Sequence, residues 1–586
     1  MEIPVRGYGE LMFRYIKPMR SKVIILALLI FTTIGLQLLN PQIIRYFIDT
    51  ASSTDHSDAL LKAAVLFLTT ALSLQLLGVA ATYVGEDVGW RSTNQLRSDL
   101  ARHCLRLDMS FHNDVTPGEM IERIDGDVAD IAIFFAQFVI RILGNLVLIA
   151  GVLIVLAFVD WRISFVLTVF TVLALVWLSH LRHVAIPFWR ESREAHANLF
   201  GFLEEQLAGT EDTRASGAVA YVMNRLVGFN RVRLDKEVKG ASKTILIVMS
   251  WVALFTLGQI IAILSGYYLF TAGLITIGTA YLIVAYTNAI FRPLREISDQ
   301  IENLQKAGAG IDRVQQLYNQ RSKITDTAVS ELPTGALAVN FDHVTFSYND
   351  EDIILDDIDF ELRPGEVLGL LGRTGSGKTT LTRLLFRLYD PSNGRIQLGE
   401  NGTRQTLTAF SLRDLRQNIG MVTQDVQLFR ATVRDNLTFF DKTIPDERIL
   451  AVIDDLGLWE WYANLSEGLD TELETEGTSL SAGEAQLLAF TRVFLKNPGL
   501  VILDEASSRL DPATEQLIER AVDKLLKDRT GIIVAHRLGT VERADKIMIL
   551  ENGRIREFGT YDHLSQDPTS RFYELRATGG LEKLMQ

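Results

Sequence analysis

Six stretches of the chain, near 23 to 45, 60 to 84, 134 to 158, 161 to 181, 245 to 270 and 277 to 292, are apolar almost throughout. Each approaches the about 20 residues that a helix needs to cross a bilayer, where every backbone polar group must be satisfied within the segment. Only Asp160, Trp161 and Arg162 separate the third stretch from the fourth, which predicts a tight helical hairpin. The first two are joined through an acidic segment with Asp49, Asp55, His56 and Asp58, and the last two through an uncharged turn rich in Thr and Gly. By contrast, the segment from 85 to 133 carries Arg91, Arg97, Arg102, Arg106 and Arg123, and that from 182 to 244 carries ten Lys or Arg. The positive-inside rule therefore places both long segments and both termini in the cytosol. Both are helix-like and poor in Gly and Pro, so hairpins of about 25-residue helices would reach roughly 35 Å beyond the membrane. Pro117 and Gly118 within 108 to 119, and Gly209 within 204 to 217, mark the expected hairpin tips.

The pattern changes after a polar stretch from about 306 to 335, becoming short β-branched runs that alternate with helical segments. The predicted architecture is a multi-domain membrane protein. An all-α six-helix transmembrane domain spans 1–305, a linker 306–335, and an α/β P-loop domain 336–586.

Composition narrows the picture. A chain of 586 residues exceeds one hydrophobic core, and its apolar residues crowd into the first three hundred positions. A formal net charge of −13 without a basic cluster argues against a nucleic-acid partner. Cys104 is the only cysteine, so no intrachain disulfide framework exists, and a buried free thiol is expected. Arg6, Arg14, Lys17, Arg20 and Lys22 precede the first apolar run, but that run is long and lacks a small-residue cleavage site, against a cleavable signal. Charges near the spans (Arg45, Asp49, Arg141, His180, Arg292 and Glu296) fit a membrane interface and form no ion-relay pattern, which disfavours proton coupling.

The candidate chemistry lies in the second half. The strand EVLGLLG (366 to 372) runs directly into GRTGSGKTT (372 to 380), a phosphate-binding loop in its strand-loop-helix setting. Gly372, Gly375 and Gly377 let backbone N–H groups turn toward phosphates, with Arg373, Thr374, Ser376 and Thr380 completing the loop. Lys378 reaches the terminal phosphates, and Thr379 offers a hydroxyl to Mg²⁺. LVILDEASSRLD (500 to 511) is a buried strand ending in two carboxylates, with Asp504 on the metal side and Glu505 toward the attacking water. A third strand, GIIVAH (531 to 536), delivers His536 to the same sheet edge.

With these motifs in this order the chain resembles the ATP-binding cassette (ABC) family, specifically its exporter-type half transporters, over essentially its whole length. Tyr348 in FSY matches the aromatic loop that stacks on adenine. Gln424 in VTQD matches the loop that touches Mg²⁺ and contacts the membrane domain. LSAGEAQ (480 to 486), with Ser481 and Gly483, matches the signature motif, SSRLD (507 to 511) the D-loop, and His536 the switch histidine. The resemblance implies ATP and Mg²⁺ as ligands. It further implies Glu505, His536 and Gln424 in catalysis, and Thr379, Gln424 and Asp504 at the metal. A second ABC half transporter would be clasped head to tail, so that each ATP lies between one loop and the other signature.

The signature departs from the family's LSGGQ. Ala482 adds a methyl, and Glu484 replaces an amide with a carboxylate. At about 8 Å and an effective dielectric of about 20, that charge facing one phosphate charge would cost about 2 kcal/mol. Arg509 and Glu474 are further departures. Beside Glu505 and His536 this pattern resembles heterodimeric exporters, in which one subunit combines a good catalytic Glu with a poor signature. The expected function is ATP-driven export of a hydrophobic drug, lipid or peptide from an integral, multi-pass position in the cell membrane. The alternatives are a siderophore importer of the same fold and an ATP-gated regulator, against which Glu505 and His536 argue.

Overall fold

The computed structural model describes residues 13–52, 57–137, 142–326, 328, 330–349, 352–400, 402–423, 426–473, 480–504, 512–535 and 541–577. Two compact units emerge, Met1–Arg106 with Thr116–Gln320, and Leu107–Val115 with Arg321–Gln586.

The first unit is helical. Arg20–Ala51, Ser57–Arg106, Trp161–Ala208, Val219–Thr271 and Ile277–Asn319 are single long helices, and Gly144–Val159 is a shorter apolar one. Its apolar surface faces outward at Leu76, Phe158 and Tyr267, while Val152, Leu156, Leu167, Ala262, Leu282 and Ile283 pack inside, the distribution expected of helices solvated by lipid. Among the described residues, four helices are long and apolar enough to cross a membrane by length and composition. The other two expected spans differ for identifiable reasons. The third includes residues 138–141, which lie outside the described residues, as does Arg141. The sixth sits on Ile277–Asn319, where Thr279, Tyr281, Tyr286, Thr287 and Asn288 dilute the hydropathy although Leu282, Ile283, Tyr286, Ile290 and Phe291 are buried.

Small residues and polar clasps bring these helices together. A Cβ on Gly258 would lie 2.5 Å from the Phe291 ring. Tyr286 donates to the Leu38 carbonyl at 2.6 Å. Asp49, expected only as an interfacial charge, accepts from Gly278 N and Thr276 Oγ1 at 2.9 Å each, so the first helix caps the start of Ile277–Asn319.

Toward the cytosol, Ser57–Arg106 and Trp161–Ala208 continue past the ends of their spans by about 33 and 40 Å at 1.5 Å per residue. The sequence breaks are used as expected. Thr116 caps a short helix that begins at Pro117, and Gly209 ends the helix Trp161–Ala208. Cys104 is buried, which pushes its thiol above the usual range.

The second unit contains two main sheets. Its strands are β1 (Ala338–Ser347), β2 (Ile353–Leu362), β3 (Val367–Gly372), β4 (Asn393–Glu400), β5 (Thr403–Thr406), β6 (Ile419–Val422), β7 (Ala431–Thr432), β8 (Glu472–Leu473), β9 (Leu500–Asp504), β10 (Thr530–Val534), β11 (Lys546–Glu551) and β12 (Arg554–Thr560). The antiparallel sheet runs β2-β1-β4-β5, the larger one β12-β11-β3-β10-β9-β6, and β7 pairs with β8. Within the larger sheet only the β11 to β12 pairing is antiparallel. Alternate residues of its strands enter two separate cores. Val367, Leu371, Val501, Leu503, Ile533 and Ile547 pack on one face, and Leu368, Leu370, Leu500, Ile502, Ile532 and Met548 on the other. Burial on both faces is why these strands read as unbroken apolar runs.

In the helical unit, Asp127 is only 2% exposed and accepts from Arg313 Nε at 2.8 Å, with Arg313 NH2 also in contact. The Arg313 side chain is 46% exposed, so losing the pair should cost less than the about 3–5 kcal/mol of a fully buried one, about 2 kcal/mol. Asp127→Ala is expected to lower the thermal midpoint of the full-length protein by a few degrees, measured in detergent by intrinsic fluorescence. An unchanged midpoint would show that this pair does not hold Asp127–Gln137 against Ile277–Asn319.

Candidate functional site

The site is built where β3 leaves the sheet. β3 lies between β11 and β10, and β10 pairs in parallel with β9, so Gly372, Asp504 and Val534 emerge at one carboxyl edge of the strands. That edge is where ligands bind in open α/β sheets. The backbone turns there through left-handed conformations at Gly372, Gly375 and Gly377, with φ of +155°, +82° and +105°. Two of the glycines are also required by space. A Cβ on Gly372 would meet the Leu550 carbonyl oxygen at 2.3 Å, and one on Gly377 would meet Leu355 Cδ2 at 2.6 Å. The loop then enters the helix Lys378–Leu385.

Inside this turn, Lys378 Nζ donates to the Gly372 and Arg373 carbonyls at 2.5 and 2.9 Å. Burial pushes its ammonium below the usual lysine range, and the Asp504 carboxylate opposes that shift. Ser376 Oγ is buried without a hydrogen-bond partner among the described residues. Arg373, Thr374, Gly375 and Thr379 are exposed at the loop mouth, and Thr380 is buried behind it. A cradle that a Cβ would fill, with an unsatisfied hydroxyl and a buried cation, fits a phosphate chain. Asp504 and Thr379 are oxygen donors of the kind Mg²⁺ takes.

Tyr348 reaches the loop from the antiparallel sheet. Its hydroxyl lies 3.1 Å from Thr380 Oγ1 and accepts from Arg383 NH1 at 3.3 Å. The ring is set edge-on by Phe346 and Tyr389, with centroids 4.9 and 5.0 Å away. Sequence reasoning missed Arg383 and Tyr389, because their roles arise from tertiary packing. Tyr389 also receives a hydrogen bond from Asn113 Nδ2 at 2.7 Å. Asn113 belongs to Leu107–Val115, the hairpin tip that folds with the second unit. Asp108 fastens this tip by accepting from the backbone of Ser110, Phe111 and Lys323. Burial would raise its carboxyl, but these donors outweigh burial and hold it below the usual carboxylate range.

Ser481 is the N-cap of the helix Ala482–Lys496, and Gly483 is buried in its first turn. The expectation for Glu484 needs correction. Its Oε2 accepts from Ser481 N at 2.7 Å while Ser481 Oγ accepts from Glu484 N at 3.3 Å, a reciprocal capping box. The carboxylate folds back on its own helix N-terminus, where the dipole favours negative charge, so the estimated repulsion of about 2 kcal/mol is not that of a bare charge. Gln424, Glu505 and His536 lie outside the described residues, as do Glu474 and Arg509.

Residues 23–294 match the ABC transporter transmembrane region and residues 355–508 the ABC transporter ATPase family. A Staphylococcus aureus protein bearing the name of a multidrug export ATP-binding/permease protein is 31% identical over 94% of this chain and 96% of its own. The chain belongs to the ABC transporter family. YgaD of Bacillus subtilis, with the same designation, is 29% identical over 95% of this chain and 97% of its own. A solved bacterial Atm1-family ABC exporter with ATP bound shares the fold with a TM-score of 0.81 at 24% identity, covering 96% of this chain and 98% of that one. This ABC transporter is thus of the exporter type, with a multi-pass membrane domain fused to an ATPase domain that binds ATP and couples its hydrolysis to transport.

Two outcomes follow from this geometry. Lys378→Ala should weaken ATP binding at least about tenfold, since charge-assisted hydrogen bonds contribute about 1.5–3 kcal/mol, and titration with a fluorescent ATP analogue reads this directly. Glu484→Gln should leave thermal stability within about 0.5 kcal/mol of wild type because Gln also closes the capping box. Glu484→Ala should cost about 1 kcal/mol.

Proposed function

We propose that this chain is one subunit of an exporter for hydrophobic or amphipathic molecules (drugs, lipids or peptides), working with a second ABC half transporter. The observation that carries the reading is the phosphate loop, with Gly372 and Gly377 pressed against neighbouring backbone and side chains and Lys378 and Ser376 turned inward, on a chain of exporter type. The relatives named for multidrug export favour export over siderophore import. In domain terms, 1–305 forms the membrane domain, 306–335 the linker and 336–586 the ATPase.

Within the site, Gly372 through Thr380 bind the phosphates and Tyr348 stacks on the adenine. Thr379, Gln424 and Asp504 would hold Mg²⁺, which would supply positive charge to offset that of the phosphates. Lys378 orients the terminal phosphates. Glu505 polarises the attacking water as general base, Gln424 serves catalysis through its contact with Mg²⁺, and His536 contacts the γ-phosphate. Ser481 and Gly483 serve the nucleotide bound to the partner subunit.

A heterodimer is the favoured assembly. Ala482 and the other signature departures occur in a chain that keeps Glu505, so two copies would pair competent catalysis with weak closure at both sites. A partner with a consensus signature would give Glu505 its complement, and the site closed by this chain's signature would hold ATP longer than it turns it over.

Glu505→Gln should abolish steady ATP turnover while leaving ATP bound, and turnover within about threefold of wild type would remove Glu505 as base. For assembly, the chain is expressed alone and with candidate partner half transporters, and ATPase activity is measured in lipid. Slow hydrolysis alone and fast hydrolysis with one partner is the expected result. Robust, substrate-stimulated hydrolysis by the purified homodimer would overturn the heterodimer.

A further inference from the structure

The helices Trp161–Ala208 and Ile277–Asn319 pack within the membrane unit and border an open cavity of about 620 Å³. Its lining includes Leu175, Val176, Ser179, His180, His183 and Ser298. The volume falls in the range of small-molecule sites. Its depth follows from helix geometry. Both helices start on the side away from the cytosol, and His180 and Ser298 lie about 29 and 32 Å along them. The hydrocarbon core is about 30 Å thick, so the polar end of the cavity lies at the headgroups of the cytosolic leaflet and Leu175 and Val176 lie within its acyl chains.

The chemistry at that level is unfinished. Ser298 is only 4% exposed and its Oγ has no hydrogen-bond partner among the described residues. Arg182, between the two histidines, pairs with Asp299 through NH2, yet its Nε is likewise buried and unpartnered. Buried polar groups of this kind normally have partners. Charge indicates the sign of the missing one. Residues 180–190 and 292–299 carry Arg182, Arg190, Arg292 and Arg295 against Glu296 and Asp299, an excess of positive charge.

We propose that this cavity binds a single-chain amphiphile with a phosphate headgroup, drawn from the cytosolic leaflet. His180, His183 and Ser298 donate to the headgroup oxygens, three donors for the three acceptor oxygens of a phosphate monoester. The acyl chain lies along Leu175 and Val176. This assignment deepens the exporter reading and rests on it, by naming a substrate class.

The test uses the full-length protein with its partner in nanodiscs of neutral lipid. Binding of radiolabelled oleoyl-lysophosphatidate is compared with that of oleoyl-lysophosphatidylcholine, which has the same chain. Wild type should bind the former at least about tenfold more tightly, and His180→Ala and His183→Ala should each weaken it about tenfold, the loss of one charge-assisted hydrogen bond. His183→Gln, which keeps a donor, should stay within about threefold of wild type, and Ser298→Ala should fall between these limits. Size-exclusion profiles and thermal midpoints identify variants that fail to fold. Equal binding of the two amphiphiles, wild-type affinity in both histidine-to-alanine variants, or displacement by inorganic phosphate at matching concentration would overturn the proposal. ATP turnover of the wild type in the same nanodiscs tests the transporter reading separately, so binding without turnover counts against that reading and leaves the cavity standing.

Discussion

The close approach of the Gly372 backbone to the carbonyl of Leu550 is the constraint on which the ATPase half depends. It is possible only because β3 is an interior parallel strand, held on one side by β11 and on the other by β10. The strand must end there, with no side chain at the exit. The loop that follows is wound tightly enough to set Lys378 on its carbonyls and Ser376 beneath them. The two apolar cores on either face of the sheet fix the height of this edge, and hence the distance between the loop and Asp504.

Much of this organisation was legible in the chain. The phosphate loop declared itself because strand, glycines, lysine and helix must follow one another without interruption, and local order in sequence becomes local order in space. The membrane half was legible for a different reason, since lipid leaves a helix no alternative partner for its backbone. Legibility failed where a residue's role depends on something distant. Nothing local marks Tyr286 and Thr287 as buried, because their burial comes from neighbouring helices. Tyr389 could not be picked out because Tyr348 and Asn113, which it meets, are 41 and 276 residues away. Glu484 was misjudged in the opposite direction. Its charge draws the eye to a distant phosphate, whereas Ser481 three residues earlier spells a helix cap.

The hairpin tip Leu107–Val115 folds with the ATPase unit through a chain of side-chain contacts. Asn113 and the ring of Tyr348 share Tyr389, and Tyr348 shares Thr380 with the phosphate loop. Tyr389 thus joins the ring beside the phosphate loop to a segment that derives from the membrane half of the sequence. Asp108 ties the same tip to the backbone at Lys323.

Asp49 has a bearing on motion at the opposite side of the bilayer. Its carboxylate is bonded to Thr276 and Gly278 while Arg45 stands 3.7 Å from it. The first and last membrane helices are therefore clasped at their outer ends, like two staves under one hoop. Parting these two helices would uncap the start of Ile277–Asn319 and take both donors from the Asp49 carboxylate. Each of these two helices therefore carries part of the other's end chemistry, the first supplying the carboxylate and the last the two donors that satisfy it.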